Sequence, residues 1–273
     1  LSCAGLISTS LFLQGCAGDI NPVFYKDVNR PRDAEPLGNL LGLSVLQTLR
    51  DVQTKGDDRL KVLNEVLTLP RADLAPRILE MQAEQTRLLR SLKGTTLNLK
   101  RFIPLFVRYS LSSEFPSYDS HRYMHDQAMG RDDLPRLDAI NRNDLERYIR
   151  NIYTMEELTR LQANLALVQK HQADRVADGT GTVDVELLAV RVGDFALTTF
   201  PGELSVQIGL NIKSASPHEH TFVAGYSNGY IYYAPTEEQL ENVGGAQEDS
   251  DCILAPGWQK TYENKVSQML GEL

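Results

Sequence analysis

Between Asp144 and Ala173 the apolar residues recur at helical spacing, and from Thr182 onward the interval drops to two. A chain that changes period in this way must place a helix beside a sheet, because period 3.6 buries one stripe of a helix and period two buries one face of a strand. Leu145, Tyr148, Ile149, Ile152, Met155, Leu158, Leu161, Leu165 and Val168 share a helical face. They predict a long helix, capped at Asn143 or Asp144 and running to about Ala173, with that stripe in the core. The segment "TVDVELLAVRVGDFALTTF" that follows reads as two strands joined at Gly193-Asp194, a hairpin signal, and Pro201-Gly202 ends the second strand. "ELSVQIGLNIKSA" is then expected to be helical, and Thr221 to Asn228 to form another buried strand.

The rest of the chain fills in around this switch. Thr9 to Gly15 is a short apolar run consistent with a buried strand, and "CAGDINP" after it is dense in turn residues. Leu37, Leu40, Leu41, Leu43, Leu46 and Leu49 form a helical stripe, and Pro76 to Leu92 a second helix with Pro in its first turn. Leu111 to Asp133 reads as irregular, and the C-terminus as an amphipathic helix. The expected class is α/β: a mixed sheet with flanking helices and a long helical segment in the middle. We expect one domain over residues 1–273, with a helical insertion at roughly 50–175.

The bulk properties narrow the function. A net charge of −8 and a pI of about 5.2 argue against nucleic acid as partner. No apolar run approaches the roughly 18 residues of a transmembrane helix. Three cysteines, Cys3, Cys16 and Cys252, are too few for a disulfide framework, although one bridge is possible. "LFLQGC" ends like a bacterial lipoprotein signal with Cys16 as the lipidated residue, but no Lys or Arg precedes Lys26 to supply a basic leader.

Three loops follow apolar strands, where α/β sheets gather ligands: Gly15 to Pro22, Pro201-Gly202-Glu203, and Asn228 to Tyr233. Glu203 has an ordinary reading as a carboxylate favoured at a helix start, and a functional one as a metal ligand or general base. Strand alternation would put Tyr230 and Tyr232 on one side and Tyr233 on the other, as an aromatic rim. The histidines pair as His121 with His125 and His218 with His220, neither at the spacing of a full metal motif; both read as surface histidines.

Taken in order, Gly18-Asp19-Ile20-Asn21-Pro22, Pro201-Gly202-Glu203 and the string Asn228-Gly229-Tyr230-Ile231-Tyr232-Tyr233-Ala234-Pro235-Thr236-Glu237-Glu238 resemble the neutral/alkaline non-lysosomal ceramidase family. The resemblance covers the two ends of the chain. It implies a zinc-dependent hydrolase of an amide bond, in an N-acyl sphingosine-like or other N-acyl substrate, with Zn2+ held by Glu203, Tyr233 and two histidines, and the pKa of water at the metal lowered toward about 7. The first loop, with Asp19 and Asn21, is implied as the catalytic loop, and Asn21 occupies the place of the family's serine. The family's two histidines precede that loop, whereas Leu1 to Ala17 contain none. The chain is therefore expected to lack an N-terminal segment of the same protein, which would be a further partner, and export is the weak default that the resemblance implies. The alternative is a non-catalytic binding module on the same scaffold, which the loss of the serine favours. The loops are expected to converge on one cleft, with uncovered apolar strand faces nearby.

Overall fold

The computed structural model describes residues 11–22, 29, 33–53, 56–111, 120–241 and 247–273. They divide into two compact units, Leu1–Leu74 with Lys170–Leu273, and Ala75–Gln169. Among the described residues the class is the expected one, a mixed sheet with flanking helices and one long central helix.

The sheet of the first unit has four strands, β1 (Leu60–Pro70), β2 (Thr182–Val192), β3 (Phe195–Thr199) and β5 (His220–Ala224), in the order β1-β2-β3-β5. The hairpin expected at Gly193-Asp194 joins β2 to β3, with Gly193 at φ 58°, the left-handed region that a side chain would resist. β3 and β5 are parallel, and α6 (Val206–Ala215) carries the chain between them, since parallel neighbours need a crossover. A second, two-stranded parallel ladder joins β4 (Glu203–Leu204) to β6 (Tyr233–Ala234).

β1 lies inside the segment expected to be helical, yet it pairs with β2 over eleven residues, from Leu60↔Val192 to Pro70↔Thr182. Its alternation is masked because aliphatic side chains occupy both faces. Leu63, Leu67 and Leu69 turn inward, while Val62 and Val66 stay exposed. The run Thr9 to Gly15 departs from expectation in the other direction. Thr9 and Ser10 lie outside the described residues, and Leu11, Phe12 and Leu13 are exposed and belong to no strand. The segment is tied to the sheet unit by Gly225 N–H donating to Gln14 O at 3.0 Å.

The core lies on one face of the sheet. α8 (Trp258–Glu272) buries Trp258, Tyr262, Val266, Met269 and Leu270 against Val185, Leu187, Ala189 and Ala196, and α6 adds Ile208 and Ile212. Phe200 sits at the centre, its ring 4.7 Å from Tyr262 and 5.9 Å from Trp258. The opposite face is apolar as well: Val62, Val190, Leu197 and Phe222 are register neighbours across all four strands, and Val62 and Phe222 are about half exposed. α1 (Glu35–Thr48) forms where the leucine stripe predicts it but buries none of its residues.

The second unit contains α2 (Ala75–Ser91), α3 (Leu99–Leu111), α4 (His121–Ala128) and most of α5 (Asp133–Asp178), 46 residues long. α5 begins about ten residues before the expected cap because Pro135 falls in its first turn, where its missing N–H costs nothing. α4 occupies part of the stretch expected to be irregular; residues 112–119 of that stretch lie outside the described residues. Leu145, Leu158, Leu165 and Val168 are buried as the stripe predicts, but Ile152 and Met155 are exposed.

Candidate functional site

The backbone assembles the site. Pro201-Gly202 turns the chain out of β3 into β4, and Glu203 N–H donates to Tyr232 O at 2.9 Å while Ile231 N–H donates to Pro201 O at 2.6 Å. A Cβ on Gly202 would lie 2.7 Å from Tyr232 O, so only glycine lets the two loops meet this closely. In the parallel ladder Glu203 and Tyr233 are direct register partners. The first loop closes on the same strand end: Gly18 N–H donates to Leu204 O at 2.9 Å. Segments from three distant parts of the chain therefore meet at β4.

Glu203 is partly buried, and its Oε1 accepts the Tyr230 hydroxyl at 2.5 Å. Tyr226 also hydrogen-bonds to this carboxylate. Both phenols are held above their ordinary pKa, first by burial and then by the Glu203 carboxylate, with Tyr233 close enough to add to the effect. They stay protonated as hydrogen-bond donors across the physiological range. Tyr226, Asn228 and Tyr232 all have positive φ (55°, 61° and 70°) without being glycine. Three such residues within seven mark a loop whose conformation is imposed by its surroundings. The left-handed turn at Tyr232 also breaks the strand alternation expected for the tyrosines, and Tyr230 and Tyr233 both reach the surroundings of Glu203.

Asp19 and Asn21 lie in the converging loop, but Asp19 is engaged structurally. Its Oδ1 accepts from Val206 N–H at 2.8 Å, at the start of α6, and its Oδ2 from Gln239 Nε2 at 3.1 Å. It braces the loop against α6 and the short helix α7 (Glu237–Leu240). Asn21 is exposed, two residues further on. Cys16 packs onto α6 at Gly209, where a Cβ would fall 2.6 Å from its Sγ. Burial there pushes the thiol up to about 11.

One supporting pair escaped the sequence reading. His171, buried at the sheet-unit end of α5, holds Asp251 Oδ1 at 2.8 Å through Nε2, while its Nδ1 is buried without a hydrogen-bond partner among the described residues. The ring lies edge-on to Tyr232 at 4.4 Å, and Tyr233 N–H donates to Asp251 O at 3.0 Å. The pair thus holds the tyrosine loop from behind. His171 falls three residues after Val168 on the buried stripe, and a histidine at a core position is the signal that could have found it. Of the other histidines, His121 and His125 are exposed on α4 and His220 is exposed at the start of β5, whereas His218 is partly buried, its Nε2 2.8 Å from Leu270 O, rather than the surface group expected.

Among the described residues no three His, Cys, Asp or Glu side chains come together as a metal site. Glu203 and Tyr233 offer two oxygen donors, short of the three protein ligands a catalytic zinc normally has. An open concavity of about 390 Å³ lies on the helical unit, lined by Thr95, Tyr148, Asn151, Ile152, Met155 and Glu156 among others, and none of the motif residues line it.

No family model and no curated protein matches the chain. Solved structures similar to part of it include two of ceramidases. The neutral ceramidase from Pseudomonas aeruginosa is 23% identical over 33% of this chain and 15% of that chain, with a TM-score of 0.28. A structure described as ceramidase complexed with C2 is 23% identical over 33% of this chain and 14% of that one, also with a TM-score of 0.28. The matched region is thus under one sixth of the length of either.

Proposed function

We propose that the strand end carrying Glu203, Tyr226, Tyr230 and Tyr233 is the reaction site of a ceramidase-type hydrolase acting on an N-acyl substrate. The observation that carries this reading is the register of Glu203 with Tyr233, on adjacent parallel strands, with the Gly18 loop bonded to the same strand. With the Tyr226 and Tyr230 hydroxyls donating to the Glu203 carboxylate, the phenol oxygens and the remaining lone pairs of the carboxylate offer acceptors to an amide N–H. Asp19 and the His171–Asp251 pair act as positioning residues for the loops that carry these groups. Asn21 is exposed, and its amide can donate and accept but cannot act as a serine nucleophile.

In this reading Glu203 and Tyr233 are two ligands of a zinc ion whose remaining ligands come from an upstream segment of the same protein. The ion would supply Lewis-acid activation of the scissile group and of water. The described residues do not complete such a centre. The test is elemental analysis of zinc in this chain and in a version extended upstream. Substoichiometric zinc in the shorter chain and one equivalent in the longer, lost in Glu203→Ala, is the expected result. A full equivalent in the shorter chain that survives Glu203→Ala overturns the assignment.

A second reading is favoured by the engagement of Asp19 and by Asn21: a module that binds an N-acyl molecule without cleaving it. Titration calorimetry with an N-acyl amine, followed by product analysis, separates the two. Saturable binding without released fatty acid in the extended, zinc-loaded protein selects the binder.

A further inference from the structure

We propose that α3 is an interfacial helix that lays its outer face on an anionic lipid surface. The inference is independent of the hydrolytic reading. One side of α3 is held by its own unit: Phe102 stacks on Tyr148 at 4.6 Å, and the Tyr109 hydroxyl donates to Asp138 at 2.9 Å. Turned away from these contacts are Leu99, Ile103, Val107 and Leu111, each between 49% and 83% exposed, and at their edge Phe106, 44% exposed, stacks on Phe102 at 5.5 Å. Their spacing places them on one continuous strip along the helix. A helix that is strongly amphipathic, yet leaves its large apolar side chains in solvent, has a face matched to something other than its own core.

Charge selects the occupant. From Gln85 to Ser113 the sequence carries six basic residues, Arg87, Arg90, Lys93, Lys100, Arg101 and Arg108, and no acidic one, in a chain whose net charge is −8; of these Arg87 is paired with Glu84. Lys100, Arg101 and Arg108 are exposed on α3 itself, Lys100 at the rim of the apolar strip and the two arginines on the side opposite it. A lysine at the rim of a strip of Leu, Ile and Val, with arginines on the polar side, is the pattern of a helix lying in the plane of an anionic bilayer, its apolar side reaching roughly 5–10 Å into the headgroup boundary. A second copy of this chain fits less well, since pairing α3 with itself would bring the basic residues together.

The test is vesicle flotation of the full chain. It should float with vesicles of phosphatidylcholine and phosphatidylglycerol in equal parts, and not with phosphatidylcholine alone. Added salt should weaken the binding, because the charge contribution is screened. Ile103→Asp with Phe106→Asp should abolish flotation, and Lys100→Glu with Arg101→Glu should weaken it at least about tenfold. These side chains are exposed, so far-ultraviolet circular dichroism of both double variants should match the parent. As an independent readout, Phe106→Trp should show a blue shift and gain of fluorescence over the parent on adding anionic vesicles. The proposal is overturned if the chain fails to float with anionic vesicles, if flotation survives the aspartate substitutions, or if without lipid the chain is a dimer that these substitutions dissociate, which would give the face to a second copy.

Discussion

Gly18 shows how narrow the tolerances of the site are. An added Cβ would fall 2.5 Å from Glu203 O and 3.1 Å from Leu204 O, both backbone atoms that cannot swing away. Gly18→Ala is expected to cost about 1–3 kcal/mol by overpacking, read as a lowered urea midpoint, and to displace the Asp19 loop. Cys16 gives a pH prediction. The folded state favours its thiol, so the folded pKa of about 11 lies above the ordinary 9.0. The stabilisation is therefore whole below about pH 9 and is lost as pH rises through about 11. Urea midpoints measured across that window should fall less steeply in Cys16→Ala than in the parent. At pH 8, labelling of Cys16 by iodoacetamide should be about a hundredfold slower than that of an exposed cysteine, from the smaller thiolate fraction alone. At this scale the sequence made Asp19, Glu203 and Tyr233 visible, because turn and motif residues are local. Tyr226, His171 and Asp251 stayed hidden because their roles exist only once the Glu203 strand, α5 and the Tyr233 strand have met.

Among the elements, burial rather than hydrophobicity decides what matters. Trp258 and the leucines of α1 are all apolar, but Trp258 is fully buried while α1 buries nothing. Trp258→Ala should destabilise the sheet unit by about 3–5 kcal/mol, whereas Leu41→Ser on α1 should stay within about 0.5 kcal/mol. Denaturant titrations of the two variants make the comparison, and equal losses would mean that α1 is covered in solution. The helices and the β2–β3 hairpin were legible because their periods are clean. β1 was not, since Leu and Val occupy both of its faces and Glu65 turns inward to pair with Lys265. The missing N-terminal strand shows the converse: an apolar run becomes a strand only when a neighbour offers it a ladder, and Leu11 to Leu13 have none among the described residues.

For the whole molecule, the β1–β2 ladder defines what can be removed. The two ends of the helical unit leave the sheet unit side by side: Arg71 N–H donates to Gly181 O at 2.8 Å, and Leu74 N–H to Gln172 Oε1 at 2.8 Å. Replacing Ala75–Gln169 by a short flexible linker should therefore leave a cooperatively folded sheet unit, with the near-ultraviolet circular dichroism of its buried Trp258 retained. A broad, non-cooperative melt would show that the sheet depends on the helices. The same ladder has a consequence during synthesis. β1 emerges from the ribosome on the order of a hundred residues before β2, which at ordinary elongation rates leaves it without its partner for on the order of ten seconds. For that interval an eleven-residue strand with aliphatic side chains on both faces stands as an open template for other chains. How fast the protein is translated, and what holds that strand meanwhile, should decide how much of it survives to fold.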